Sequence, residues 1–258
     1  MINPNLEIDH VHLKVSNLEK LIHFYESILG FKIVRLESKI ALLSSSSSAE
    51  NKDSSRFLVV ISELKDNAVS IFNHKTRIAG LYHFAILLPE RRYLAYFLKH
   101  IQKNLNPEYY EGMADHAVSE SIYLHDPDFN GIEVYSDRDP NNWKWKDHTV
   151  HMVTEPLNVK DLFKEAIDVD NKWNELPGKT SIGHVHLHVS NLVKAKRFYY
   201  DILQLNHTAT YPGAYFFAAN RYHHHVATNT WLGENISPAY TDNINPGLDH
   251  YAINLHNE

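Results

Sequence analysis

Nineteen histidines in 258 residues, with no cysteine, set the chemistry available to this chain. Imidazole is the commonest metal ligand and titrates near neutral pH, so such a chain is equipped to hold a cation or to move protons. Without thiols, disulfides, iron–sulfur clusters and thiolate zinc sites are excluded, and any metal must sit on nitrogen and oxygen. An imidazole is costly to bury alone, so position decides which histidines do chemistry. Four stand near the start of apolar segments: His10 in IDHVHLKV, His83 in LYHFAILLPE, His184 in IGHVHLHV and His250 in LDHYAINLHNE. A further run, Tyr222-His223-His224-His225-Val226, read as a strand, puts His223 and His225 on one face. One carboxylate is placed as sharply. In DPDFNGIEVY, Asp-Pro-Asp and Asn-Gly make a tight turn, and the strand leaving it sends Glu133 and Tyr135 to one face and Ile132 and Val134 to the other.

The elements carrying these residues repeat. The segments starting at Ile8 and Ile182, 174 residues apart, agree at His10/His184, Val11/Val185, His12/His186, Leu13/Leu187 and Val15/Val189, then in Ser-Asn-Leu and in Phe24-Tyr25/Phe198-Tyr199. The segments around His83 and His250 are fainter copies, so four modules begin alike. In the first, Val11, Leu13 and Val15 oppose His10, His12 and Lys14, the alternation of a strand with one apolar face. Ser16-Asn17-Leu18-Glu19 and Ser190-Asn191-Leu192 start helices, and Leu21, Phe24, Tyr25 and Ile28 follow at helical spacing. Further strand candidates are FKIVRLE, KIALLS and FLVVISEL in the first module, SIYLHD and GIEVYS in the second, and YPGAYFFAA and HHHVATNTW in the third. Each full module reads as strand, helix and three strands, an α+β class. Residues 1–139 hold the N-terminal pair of modules, and 140–180 a connector with a helix over Leu157 to Ile167. The third module and the start of a fourth occupy 181–258. SSSSSAENKDSSR, from Ser44 to Arg56, is a polar loop.

A formal charge of -6 offers no surface for nucleic acid. The start, MINPNLEIDH, has no signal-peptide pattern, and no apolar stretch reaches membrane-spanning length. The expectation is a soluble cytoplasmic protein acting on small molecules.

In GLYHFAILLPE, DHAVSESIYLHDPDFNGIEVYSDRD, IGHVHLHVSNL and YHHHVATNTW, the chain resembles the vicinal oxygen chelate superfamily. That group includes glyoxalase I, bleomycin-resistance proteins and extradiol ring-cleaving dioxygenases, and the wording is most like four-module bacterial catechol 2,3-dioxygenases. The resemblance implies βαβββ modules paired into curved mixed sheets, with metal ligands on concave faces. It places first-strand ligand slots at His10, His83, His184 and His250 and a last-strand slot at Glu133. Two histidines and one carboxylate leave adjacent positions open, as in non-heme Fe(II) oxygenases. His83 and Glu133 share a module. The third ligand is His184 if modules two and three pair, the preferred arrangement, and His10 if one and two pair. The implied activity is opening of an aromatic diol with dioxygen, in aromatic hydrocarbon catabolism. Fe(II) is the metal, with Mn, Ni and Zn as alternatives. A glyoxalase-type lyase or isomerase and a non-enzymatic antibiotic-binding protein are the rival functions. His116 and His225 are candidates to move a proton, and Tyr123 and Tyr135 to donate hydrogen bonds. His12, His186 and His188 read as pocket-lining or paired residues. The fourth module stops after one strand, which leaves apolar surface and a strand edge uncovered: either the chain is a shortened form or another chain covers them, as in a homodimer.

Overall fold

The computed structural model describes residues 5–45, 56–64, 77–166, 173–238 and 245–255. Most of the polar Ser44 to Arg56 loop and the end of the helix read to Ile167 lie outside the described residues. The first module is β1 (Glu7–Val15), α1 (Leu18–Ser27), β2 (Lys32–Glu37), β3 (Ile40–Ser44) and β4 (Val59–Glu63). The second is β5 (Gly80–Leu87), α2 (Arg91–Asn104), β6 (Tyr110–Asp115), β7 (Ser119–His125) and β8 (Gly131–Asp137). The connector carries a hairpin, β9 (Trp145–Lys146) with β10 (Thr149–Val150), and the short helix α3 (Val159–Leu162). The third module is β11 (Ser181–His188), α4 (Leu192–Lys196) running into a π-helix (Arg197–Ile202), β12 (Asn206–Tyr211), β13 (Ala214–Ala218) and β14 (Val226–Asn229). A last strand, β15 (Gly247–Asn254), opens the fourth repeat. No helix among the described residues is long and apolar enough to cross a membrane.

The repeated Ser-Asn-Leu works as a helix cap. Asn17 Oδ1 accepts the Lys20 N–H and Asn191 Oδ1 accepts the Lys194 N–H, each satisfying an orphan donor of the first turn. Behind the caps, Leu18, Leu21, Phe24 and Tyr25 of α1 pack onto the buried face of β1, where Val11, Leu13 and Val15 are fully covered. β6 and β12 were not among the strand candidates, and their sequences explain it. YEGMAD and NHTATY are short, largely polar and half exposed, since β6 ends its run of the sheet.

Among the described residues, thirteen strands form one sheet. β5 and β11 pair antiparallel at the centre of the run β6-β7-β8-β5-β11-β14-β13-β12, so modules two and three lie side by side across the connector. β1 pairs with β4 and β15, which sets the first module beside the fourth repeat, and meets β11 through Ile8 and Ile182. Register shifts interrupt the β5–β11 pairing around Gly183 and Tyr82. Such bulges re-aim side chains near functional sites.

Candidate metal centre and its cavity

The register builds the site around a small residue. Ala85 of β5 is paired with His184 of β11 on one side and with Glu133 of β8 on the other. His83, two residues earlier, shares its face. A methyl group between two long polar side chains leaves room above it. There, His83 Nε2 and His184 Nε2 each lie 3.1 Å from Glu133 Oε2. One donor atom from each of the three lies within 4.8 Å of the others. Ser121 Oγ donates to Glu133 Oε1 at 2.6 Å, fixing the carboxylate and leaving Oε2 toward the two imidazoles.

All three residues are buried. His83 Nε2 is off the line that a hydrogen bond to Glu133 needs, and both it and His184 Nδ1 are buried nitrogens with no partner. Burial opposes ionisation of Glu133, but His184 and His83 together outweigh it and hold the carboxyl well below the usual carboxylate range. Burial also pushes His184 down to about 4, against the pull of Glu133. At neutral pH a buried carboxylate therefore faces an unprotonated imidazole, and a spare nitrogen points at the same spot. That combination is costly unless a cation sits there. The residues fit a divalent first-row metal on two nitrogens and one oxygen.

A cavity of about 690 Å³ opens above His83 and Glu133. Tyr82, Phe216 and Trp231 line it, and the β9–β10 hairpin of the connector supplies a wall with Trp145. Sequence reading treated that hairpin only as a link. Its Trp145 ring also carries the Arg221 guanidinium at 4.6 Å. His116 and Tyr123 both line the cavity and are joined. His116 Nδ1–H donates to the Val153 carbonyl at 2.7 Å, so its Nε2 accepts the Tyr123 hydroxyl at 2.7 Å.

Tyr135 and His225 are placed elsewhere. Tyr135 is fully buried with its hydroxyl 2.6 Å from that of Tyr222. His225 Nδ1 accepts the Ala219 N–H, and the residue does not line the cavity. Strand alternation fails here because residues 219–225 lie outside any strand, bent at 219–223 and at 225, and β14 begins only at Val226. His224 faces the cavity instead, its ring centroid 4.1 Å from that of His184. Nothing in the sequence distinguished it from its two neighbours. His10 lies apart from the cluster, with Nδ1 on Asp9 and its ring 5.7 Å from His250. His186 Nε2 accepts from Asn229 Nδ2, whose Oδ1 accepts from His188 Nδ1, and His12 Nε2 meets Ser62 Oγ.

These burials make the metal-free fold sensitive to acid. Burial first, then His223 and His184, push His225 down to about 3, while His184 lies at about 4. In the unfolded chain both take a proton near 6.5, so their contribution to stability is present above that pH and lost as pH falls toward 4. Asp126, raised by burial to about 6, acts in the opposite sense between its unfolded value and 6. The histidines outnumber it. Metal-free protein should melt at least about 3 °C lower at pH 5.0 than at pH 7.5 in circular dichroism. An equal or higher melting temperature at pH 5.0 would contradict this account.

The family described as the Glyoxalase/Bleomycin resistance protein/Dioxygenase superfamily matches residues 7–146. A protein of Bacillus subtilis (strain 168) named catechol-2,3-dioxygenase is 36% identical over 257 residues, covering 98% of this chain and 84% of its own. Among solved structures, a glyoxalase I variant from Zea mays superposes with a TM-score of 0.53 at 14% identity, over 96% of this chain and 75% of its own. A provisionally assigned dioxygenase from Bacillus subtilis gives 0.54 at 10% identity, over 89% of this chain. This chain spans 64% of the length of that structure. At such identities the two structures speak for the fold alone, while the sequence match carries the lineage. The chain belongs to the glyoxalase/bleomycin resistance protein/dioxygenase superfamily.

Proposed function

We propose that this protein is an extradiol dioxygenase, opening the ring of a catechol-type substrate with dioxygen at an Fe(II) held by His83, His184 and Glu133. The observation that carries the reading is the cluster itself: three buried donors from modules two and three, two with partnerless nitrogens, under a cavity of about 690 Å³. The 36% identity to a protein named catechol-2,3-dioxygenase supports the choice of reaction. Bound there, Fe(II) would supply the redox chemistry that joins dioxygen to the aromatic diol.

The chain's own residues do the rest. Tyr82, Trp145, Phe216 and Trp231 make an apolar slot for a flat ring and keep water from it. His224, beside His184 and open to the cavity, is placed to accept the proton of a substrate hydroxyl. Tyr123 donates its hydrogen bond to His116, so its oxygen is left with lone pairs, and at the cavity the pair is placed to accept a hydrogen bond from a substrate group. His224→Gln should lower kcat by about 10²-fold while metal content is retained. Loss of the metal in that variant would make His224 a ligand and overturn its role as an acceptor.

The test is to load the protein with Fe(II) without oxygen, add catechol, admit air and follow visible absorbance. A yellow ring-opened product supports the proposal. Bound iron with no product and no oxygen uptake across a panel of catechols would sink it.

A further inference from the structure

Beside the candidate centre, two histidines, two tyrosines and a carboxylate are hydrogen-bonded in a fixed order. Asp137 Oδ1 lies 3.0 Å from His223 Nε2, and its Oδ2 accepts the Tyr222 hydroxyl at 3.0 Å. Tyr222 has then used its hydrogen, so the Tyr135 hydroxyl donates to it. A carboxylate only accepts, so the His223 hydrogen is on Nε2 and its Nδ1 is a lone pair. That lone pair is 2.7 Å from His224 Nδ1, a separation that needs one hydrogen between the nitrogens. The hydrogen belongs to His224, and its other nitrogen carries none.

We propose that Asp137 and His223 are positioning residues that hold His224 as the Nδ1–H tautomer, so that its Nε2 offers a lone pair to the cavity as the acceptor for a substrate hydroxyl. Free histidine favours the other tautomer, which would present an N–H and repel such a donor. The hold is rigid. His223 is fully buried, with its carbonyl taken by Thr208 Oγ1 and its ring packed against both Tyr222 and Trp143, at 4.1 and 5.3 Å. Asp137 ends β8, four residues after Glu133, so one strand supplies both the carboxylate of the metal cluster and the one that orders the histidines. The same logic of a histidine base oriented by a carboxylate operates in hydrolase triads, although Asp137 is only partly buried. His184, His223 and His224 also meet the spacing for a second cation, but the bonds to Asp137 and between the two Nδ1 atoms already use three of the available nitrogens.

This inference rests on the cavity being a substrate site and not on which reaction occurs there. The test is a nitrogen–proton correlation spectrum of the Zn(II)-loaded protein labelled with ¹⁵N-histidine, with signals assigned through His223→Gln and His224→Gln. The expected pattern is a protonated Nδ1 and bare Nε2 for His224, and the reverse for His223. A protonated Nε2 on His224 in the unaltered protein overturns the proposal. Asp137→Leu, which removes the acceptor, should shift His224 toward the Nε2–H tautomer. In the Fe(II) enzyme it should lower kcat about 10²-fold with KM changed less than about twofold, and Asp137→Glu should recover most of the loss. An unchanged His224 tautomer in Asp137→Leu, or a switched tautomer with unchanged kcat, refutes it. The spectrum reads the tautomer whether or not catechol is turned over, so failure of the extradiol reading and failure of this one are separate results.

Discussion

Glu133→Ala should bind divalent metal at least about 10³-fold more weakly and give no ring-opened product, while remaining folded. The size of the effect follows from what the carboxylate does. Its Oε2 is the atom shared by His83 and His184, and no other carboxylate is grouped with those two imidazoles among the described residues. Loss of an outer partner of a ligand costs about 10–100-fold in affinity, so Ser121→Ala, which frees Oε1, should fall in that smaller range. Stability should fall as well: the variant leaves the His184 N–H and the Ser121 hydroxyl buried without their acceptor, so metal-free Glu133→Ala should melt lower than metal-free wild type. Cobalt(II) titration by visible absorbance and thermal melts read both. Equal metal affinity in the two variants would remove Glu133 from the ligand set.

Gly131→Ala should be as damaging by a different route. Gly131 opens β8 against β5, and a Cβ there would stand 1.9 Å from the Tyr82 carbonyl oxygen and 3.2 Å from the His83 Cβ. Tyr82 is at the bulge, and a backbone atom has no rotamer by which to yield. The strands must separate, and these are the strands that carry His83 and Glu133. Overpacking of this kind costs about 1–3 kcal/mol or more. A lowered urea midpoint should therefore accompany weakened cobalt(II) binding. A variant with wild-type values for both would show that the close approach is not needed.

How much of this could be read beforehand depends on the range of the interactions involved. The module pattern was legible because local chemistry writes it. Alternation at Val11, Leu13 and Val15 and the caps at Asn17 and Asn191 need only neighbours in sequence. His83 and His184 came forward as repeated first-strand histidines and Glu133 from the turn that precedes its strand; that the three form one ligand set was what the family resemblance implied, and the fold brings them together. That β5 lies beside β11 was open, since strand pairing between repeats of similar sequence is decided by burial over the whole sheet. The bent stretch at residues 219–225 was hidden because His-His-His carries no turn signal, and it is what exchanges His225 for His224 at the cavity. The hairpin wall around Trp145 was hidden too, two-residue strands being too short to show a period.

The pairing of β5 with β11 has a consequence for the order in which the protein is made. His83 and Glu133 leave the ribosome with the second module, but His184 follows only after the connector, and His224 and Trp231 later still. A nascent first half holds two of the three residues of the candidate centre and one side of the cavity. In the proposed centre a metal would load only after the third module has been made.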